Sequence, residues 1–295
     1  GSQNVGSARF QAVTATSGFM CPSCQARATR EPPGTARPDD RARLRRTPTQ
    51  EDRMPYDHER PRTALVAGGT GGLGPAVVEV LLGRGERVCV PYRNEAKAEL
   101  LRSAQPGAIQ DGNLRLSQCD VSDRDQVAAL LDVLGADWGP LWLACSLAGG
   151  WAGGVPVAEM ADFSLLDRMV TLNLRTAAVV AAEGLRHMGD DGGRVILTSS
   201  RTALRAAAGQ AAYSAAKAGV LSLTAKLAEE LRGTGRTANA IVPATVDTPA
   251  NREAMPDARH QRWAPPRAIG KVIAWLASAD SWPVSGAVIP VYGDS

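Results

Sequence analysis

Residues 63–82 read TALVAGGTGGLGPAVVEVLL. The opening TALVAGG is a continuous apolar run without polar alternation, which predicts a strand buried on both faces. PAVVEVLLGRG follows, with Pro75 at its first turn and Gly83 near its end, the asymmetry of an α-helix. Between strand and helix stand Gly68, Gly72 and Gly74. A side-chain-free turn lets backbone approach a pyrophosphate, and the N–H groups and dipole of the helix start favour its negative charge. No Gly-Lys-Ser/Thr follows, which excludes the nucleoside-triphosphate loop.

Outward from this junction the same grammar repeats. RVCVPYR (87–93), LRLSQCDV (114–121), PLWLACSLAGG (140–150), GGRVILTSS (192–200), RTANAIVP (236–243) and SGAVIPVYG (285–293) read as further strands. EAKAELLRSA (95–104) and DRDQVAALLDVLG (123–135) read as helices between them. Apolar strands alternating with helices predict an α/β fold, a doubly wound parallel sheet of the Rossmann type, with residues 62–295 as one domain.

Residues 1–61 are rich in Pro, Arg, Thr and Asp without helix or strand period, and are expected to be a disordered extension. Cys21 and Cys24 lack the second ligand pair of a zinc site, so no metal is expected. Arg41, Arg43, Arg45 and Arg46 read as a solvated tail, the opening Gly-Ser as foreign, and Met54 as an alternative start. Residues 1–62 carry 11 Arg against 7 Asp/Glu, and the rest 22 Lys/Arg against 23 Asp/Glu. The net charge of +3 therefore comes from the front segment, and the folded part gives no reason to expect a nucleic-acid partner. There is no apolar run of the ~20 residues that span a bilayer, nor a secretory leader. Cys89, Cys119 and Cys145 fall in or beside strands, as buried free thiols do, which fits a reducing cytoplasmic compartment.

The second strand ends in Tyr92 and Arg93, with no carboxylate before Glu95. An acidic side chain there would hold the ribose hydroxyls of NAD, whereas an arginine fork pairs with the 2′-phosphate of NADP. NADP is favoured over NAD. Asp120 and Val121, closing the third strand, are placed to hold the adenine. Tyr213 and Lys217 lie four apart at the head of a helix, on one face. A nearby ammonium favours the phenolate and brings a tyrosine of reference pKa ~10 toward working range. Ser200 ends the preceding strand, where its hydroxyl can polarise a carbonyl.

Gly68-x3-Gly72-x-Gly74, Asp120-Val121, Ala148-Gly149, Asn173, Ser200, Tyr213-x3-Lys217 and Pro243 stand in the order and spacing of the short-chain dehydrogenase/reductase family, which the chain resembles over about residues 62–295. The resemblance implies Tyr213 as general acid/base and Ser200 positioning the carbonyl. It implies Lys217 on the nicotinamide ribose and Asn173 holding a proton-relay water. Gly68, Gly72, Leu73, Gly74, Arg93, Asp120 and Val121 would line the cofactor site, joined by Ala148, Gly149, Tyr213, Lys217, Pro243, Val246 and Thr248. The family's opening threonine is Ala67 here, its paired asparagines are Ser146-Leu147, and its Pro-Gly is Pro243-Ala244.

AGGWAGG (148–154) and VPATVDTPANREAMPDARHQRW (242–263) further resemble dihydropteridine reductase. That implies Trp151 as a flat wall for a planar substrate, the bland reading being a loop hydrophobe packed on the lid. The retained Ser200 and Asn173, which that enzyme lacks, point instead to a ketone, aldehyde or alcohol. The alternatives are an NADH enzyme of the dihydropteridine-reductase kind and a non-catalytic dinucleotide sensor. Residues 243–263 are expected to form a lid, and the helix carrying Tyr213 to build a homodimer or homotetramer.

Overall fold

The computed structural model describes residues 61–205 and 207–295. The expectations for the front segment, including Cys21, Cys24, the arginine cluster and Met54, lie outside the described residues.

Seven strands form one sheet in the order β3-β2-β1-β4-β5-β6-β7. They are β1 Thr63–Ala67, β2 Arg87–Tyr92, β3 Leu114–Gln118, β4 Leu141–Ser146, β5 Gly193–Thr198, β6 Arg236–Pro243 and β7 Val288–Val291. Every neighbouring pair is parallel. Each expected strand is present and, apart from β6, which spans its expected residues, is trimmed by a few residues at its ends. The helices are α1 Gly74–Leu82, α2 Glu95–Ala104, α3 Pro106–Gln110, α4 Arg124–Trp138, α5 Ser164–Met169, α6 Thr176–His187, α7 Ala211–Glu230, α8 Pro249–Ala254 and α9 Pro266–Ala277.

Alternation along the strands explains the continuous apolar runs. Ala64 and Val66 of β1 pack on one face with Val77, Val78 and Leu81 of α1 and Ile269 and Ile273 of α9. Leu65 and Ala67 pack on the other with Leu131 of α4, Val180 of α6 and Val220 of α7. A strand with a core on each side buries successive side chains alternately in both, so it reads as a largely apolar run. Side-chain caps set helix starts: Asn94 accepts from the Lys97 amide at 3.0 Å. Asp123 accepts from the amides of Asp125 and Gln126 at the head of α4.

The chain leaves β1 toward the α1 face and leaves β4 toward the opposite one, so a crevice opens at their carboxyl ends. Two glycines make it possible. Gly68 has φ +84°, and a Cβ there would lie 2.6 Å from the Ala148 amide nitrogen. A Cβ on Gly74 would lie 2.3 Å from the carbonyl of Gly69, so α1 starts hard against the turn. Among the described residues no helix is long and apolar enough to cross a membrane.

Gly74→Ala must push backbone apart, and is expected to lower the unfolding free energy by about 1–3 kcal/mol. Gly107→Ala in α3, where a Cβ meets nothing within 4 Å, is expected to be neutral or to stabilise by a few tenths of a kcal/mol up to about 1 kcal/mol. Urea unfolding of the two variants beside wild type measures the contrast.

Candidate active site

The crevice is floored by glycine. Beyond Gly68 and Gly74, a Cβ on Gly72 would come 2.9 Å from the Thr248 side chain, so the turn also touches the segment after β6. Leu73 stands at the N-cap of α1 and packs into the adjoining core. The glycines of this turn carry no side chain of their own and lead straight into the start of α1, whose dipole favours negative charge, which fits a dinucleotide pyrophosphate.

Arg93 and Asp120 meet at this end: Arg93 Nη1 lies 3.5 Å from Asp120 Oδ2, with Arg93 largely exposed. Asp120 also accepts from the Ser122 amide and hydroxyl at 2.9 and 2.7 Å. The Ser122 amide leads the influences that hold its carboxyl below the usual range, with the Arg93 guanidinium adding to them. Val121 and Ala148 are half-buried against the core on the α4 and α6 face.

Asn173 is buried, and it sits in a π-helical turn, Val170–Arg175, joining α5 to α6. Such turns cost regular hydrogen bonding and recur at functional sites. Here the turn lets Asn173 clasp the β4 loop: Gly150 N–H donates to its Oδ1 at 3.2 Å, and its Nδ2 donates to the Gly150 carbonyl at 3.0 Å. A Cβ on Gly149 would lie 2.5 Å from Asn173 Oδ1 and 3.2 Å from Lys217 Nζ, so both polar groups close on that glycine.

Lys217 is buried on α7 and donates from Nζ to the Thr198 carbonyl at 2.9 Å. Its own carbonyl accepts from Ser199 Oγ at 2.7 Å. Burial pulls the ammonium down to about 8. Tyr213, one turn earlier, has its ring centroid 5.9 Å from Lys217 Nζ. The spacing predicts a phenol drawn down by the lysine, yet burial is the stronger influence and pushes it up, while a hydrogen bond with Ser200 opposes that. Lys217 is turned to Thr198 and is itself reluctant to carry charge.

The segment after β6 is built rather than featureless. Pro243 is buried at the end of β6, and Val246 bridges to Ala264. Thr248 caps α8 through Asn251, and Asp247 holds Arg252 by two hydrogen bonds. Trp263 is buried, and Arg262 donates to the Asp294 carbonyl. Trp151, by contrast, is 61 % exposed. Its loop is pinned where Gly154 N–H donates to the Gly209 carbonyl at 2.8 Å. Among the described residues no group of three or more His, Cys, Asp or Glu is placed to hold a metal.

Ser200, Tyr213, Lys217, Asn173 and Gly149 thus come together, and Gly72 meets Thr248, while Arg93 and Asp120 form a separate pair. No local pattern announces the π-helical turn or the Thr198 and Ser199 contacts to Lys217. Thr202, whose amide and hydroxyl both reach Ser200, also passed unnoticed.

A family model described as short chain dehydrogenase matches residues 62–259. The chain is 33% identical over 243 residues to cis-4-hydroxycyclohexanecarboxylate dehydrogenase of Sinomonas cyclohexanicum, covering 79% of this chain and 95% of that protein. It is 28% identical to dihydropteridine reductase of Dictyostelium discoideum, covering 77% and 93%. Its fold superposes on a variant of actinorhodin polyketide ketoreductase with NADPH at a TM-score of 0.71 and 28% identity, covering 79% and 96%.

The lowered Lys217 has a consequence for stability. Between about pH 8 and its ordinary value of 10.5, the unfolded chain holds a proton there that the folded chain has lost. Wild type is therefore expected to gain stability relative to Lys217→Met as pH rises through that window, with the full burial cost present below pH 8. Denaturant melts of both proteins at pH 7.5 and 10 measure it.

Proposed function

This chain belongs to the short-chain dehydrogenase family and is an oxidoreductase of it, and from that premise we propose that it moves hydride between NADP(H) and a small carbonyl or alcohol, or a planar pterin-like substrate. The supporting observation is the convergence of Ser200, Tyr213, Lys217 and Asn173 on one end of the crevice, beside Gly149. In the reducing direction Tyr213 gives its phenolic proton to the carbonyl oxygen, and Ser200 donates a hydrogen bond to that oxygen. The bound nicotinamide supplies or takes the hydride. Lys217 holds the nicotinamide ribose and steadies the phenolate that forms, and Asn173 keeps the relay water. Gly68, Gly72, Leu73, Gly74, Val121, Ala148, Pro243, Val246 and Thr248 enclose the cofactor. Residues 62–295 act as one domain.

Arg93 reads the 2′-phosphate in this proposal, since it is exposed at the end of β2, no carboxylate precedes Glu95 in that stretch of chain, and its pairing with Asp120 from beyond β3 is a long one at 3.5 Å. The ketoreductase seen with NADPH is a structural neighbour in keeping with that preference. A second reading, an NADH-dependent reductase of dihydropterins, draws on the exposed Trp151 and the Dictyostelium relative. In that reading Ser200 has little to do, because a quinonoid pterin needs no carbonyl polarisation. A sensor that only binds dinucleotide is the remaining rival. The exposed Ala215, Ala218, Ser222 and Ala225 of α7 give a small-residue face for a homodimer or homotetramer in the cytoplasm.

Tyr213→Phe is expected to cut turnover by about 10²–10⁴-fold while leaving NADPH binding within a few-fold, measured by NADPH consumption with a panel of ketones and dihydropterins. Turnover by the variant equal to wild type, or no turnover by either with bound cofactor, sinks the acid/base assignment. Fluorescence titration is expected to show NADPH binding at least about tenfold more tightly than NADH (~1.4 kcal/mol), with the preference lost in Arg93→Ala. Equal or tighter NADH binding favours the second reading.

A further inference from the structure

Ser200 sits at the mouth of a short 3-10 turn, Arg201–Ala203, whose first N–H groups need acceptors. Its hydroxyl supplies one: the Thr202 amide donates to Ser200 Oγ at 3.3 Å. The Thr202 hydroxyl donates to the same oxygen at 3.1 Å. A serine hydroxyl has two acceptor lone pairs and one proton. Thr202 donates to that oxygen twice, which leaves the proton to point away from the turn, and Ser200 is the neighbour that lowers the Tyr213 phenol.

We propose that Thr202 is a positioning residue that locks the Ser200 hydroxyl as a donor aimed at the reacting oxygens. The inference rests on the role given to Ser200 above. A free serine hydroxyl rotates among three staggered positions and accepts or donates as its surroundings demand. With both lone pairs engaged by one neighbour, only the donating position remains. That is the role a carbonyl or a forming phenolate needs from Ser200, and it is fixed before any substrate arrives. The burial that raises Tyr213 makes the direction of this proton matter, because Ser200 is the neighbour opposing that rise.

The Tyr213 phenol is therefore the natural reporter, and it needs no substrate. The chain holds four tyrosines, so fluorotyrosine labelling and 19F NMR resolve each one, with Tyr213→Phe giving the assignment. Fluorination makes the phenol more acidic and brings its titration to lower pH. Ser200→Ala is expected to raise the Tyr213 pKa by about half a pH unit or more. Thr202→Val, which keeps the size and the backbone N–H, is expected to raise it in the same direction by a smaller amount. Thr202→Ser is expected to restore the wild-type value, and Thr202→Val on Ser200→Ala to add nothing. A Thr202→Val titration equal to wild type beside a shifted Ser200→Ala overturns the proposal and leaves Ser200's role standing. An additive shift in the double variant overturns it too, because Thr202 then acts by another route. If Ser200→Ala itself shifts nothing, the Ser200–Tyr213 contact fails and both readings fall with it.

Discussion

The backbone at Gly68 lies so close to the backbone of Leu147 and Ala148 that one methyl group would collide with both. β1 and β4 are neighbouring parallel strands, and their chains depart to opposite faces of the sheet. The gap between the departing chains can serve as a cradle only if neither loop fills it with side chains. Gly68 solves the contact between loops, Gly74 seats α1 on the turn, and Gly72 makes room for Thr248 from across the crevice. The turn at the head of α1 is therefore shaped by three separate close approaches, each of which would have to shift to admit a larger residue.

The other side of the crevice depends on how α7 hangs from β5. Lys217 is tied at both ends: its side chain donates to Thr198, and its carbonyl accepts from Ser199. Two consecutive residues at the end of one strand thereby fix the height of one helical residue. Tyr213, four positions earlier on the same face, follows, and Ser200 is the neighbour that opposes the rise of its phenol. The burial that makes Lys217 a poor cation thus arises from the clamp that places Tyr213. Position and acidity are set by one arrangement of bonds.

Much of this was legible in the sequence. Apolar runs betrayed β1, β4 and β5 because a doubly covered sheet favours apolar side chains on both faces, and Pro75 and Gly83 marked α1 through their own backbone preferences. Ser200, Tyr213 and Lys217 were readable as a set because their spacing is local. What stayed hidden depends on partners far along the chain. Buried Arg194 donates to the carbonyls of Gly193, Gly235 and Ser278 and lies 4.7 Å over Trp142, whose indole N–H reaches Ala277 across 135 residues. No local pattern announces such a cation in a strand. The π-helical turn at Asn173 was equally silent, since its extra residue is stabilised by the clasp on Gly150 and not by its own composition.

Trp151 is the place where local logic runs out and long-range anchoring answers it. Gly150 is clasped by Asn173 and Gly154 is bonded to Gly209, so the residues between are strung across two fixed points. A tryptophan on such a short span cannot fold back into the core, and its ring stays 61 % exposed. Burying a large apolar side chain is worth about 1.5–3 kcal/mol, and the fold forgoes much of that here. A glycine loop with one tryptophan is thus no contradiction: the glycines let the backbone pass close to its clasps, and the indole, denied a place inside, is held out as a surface.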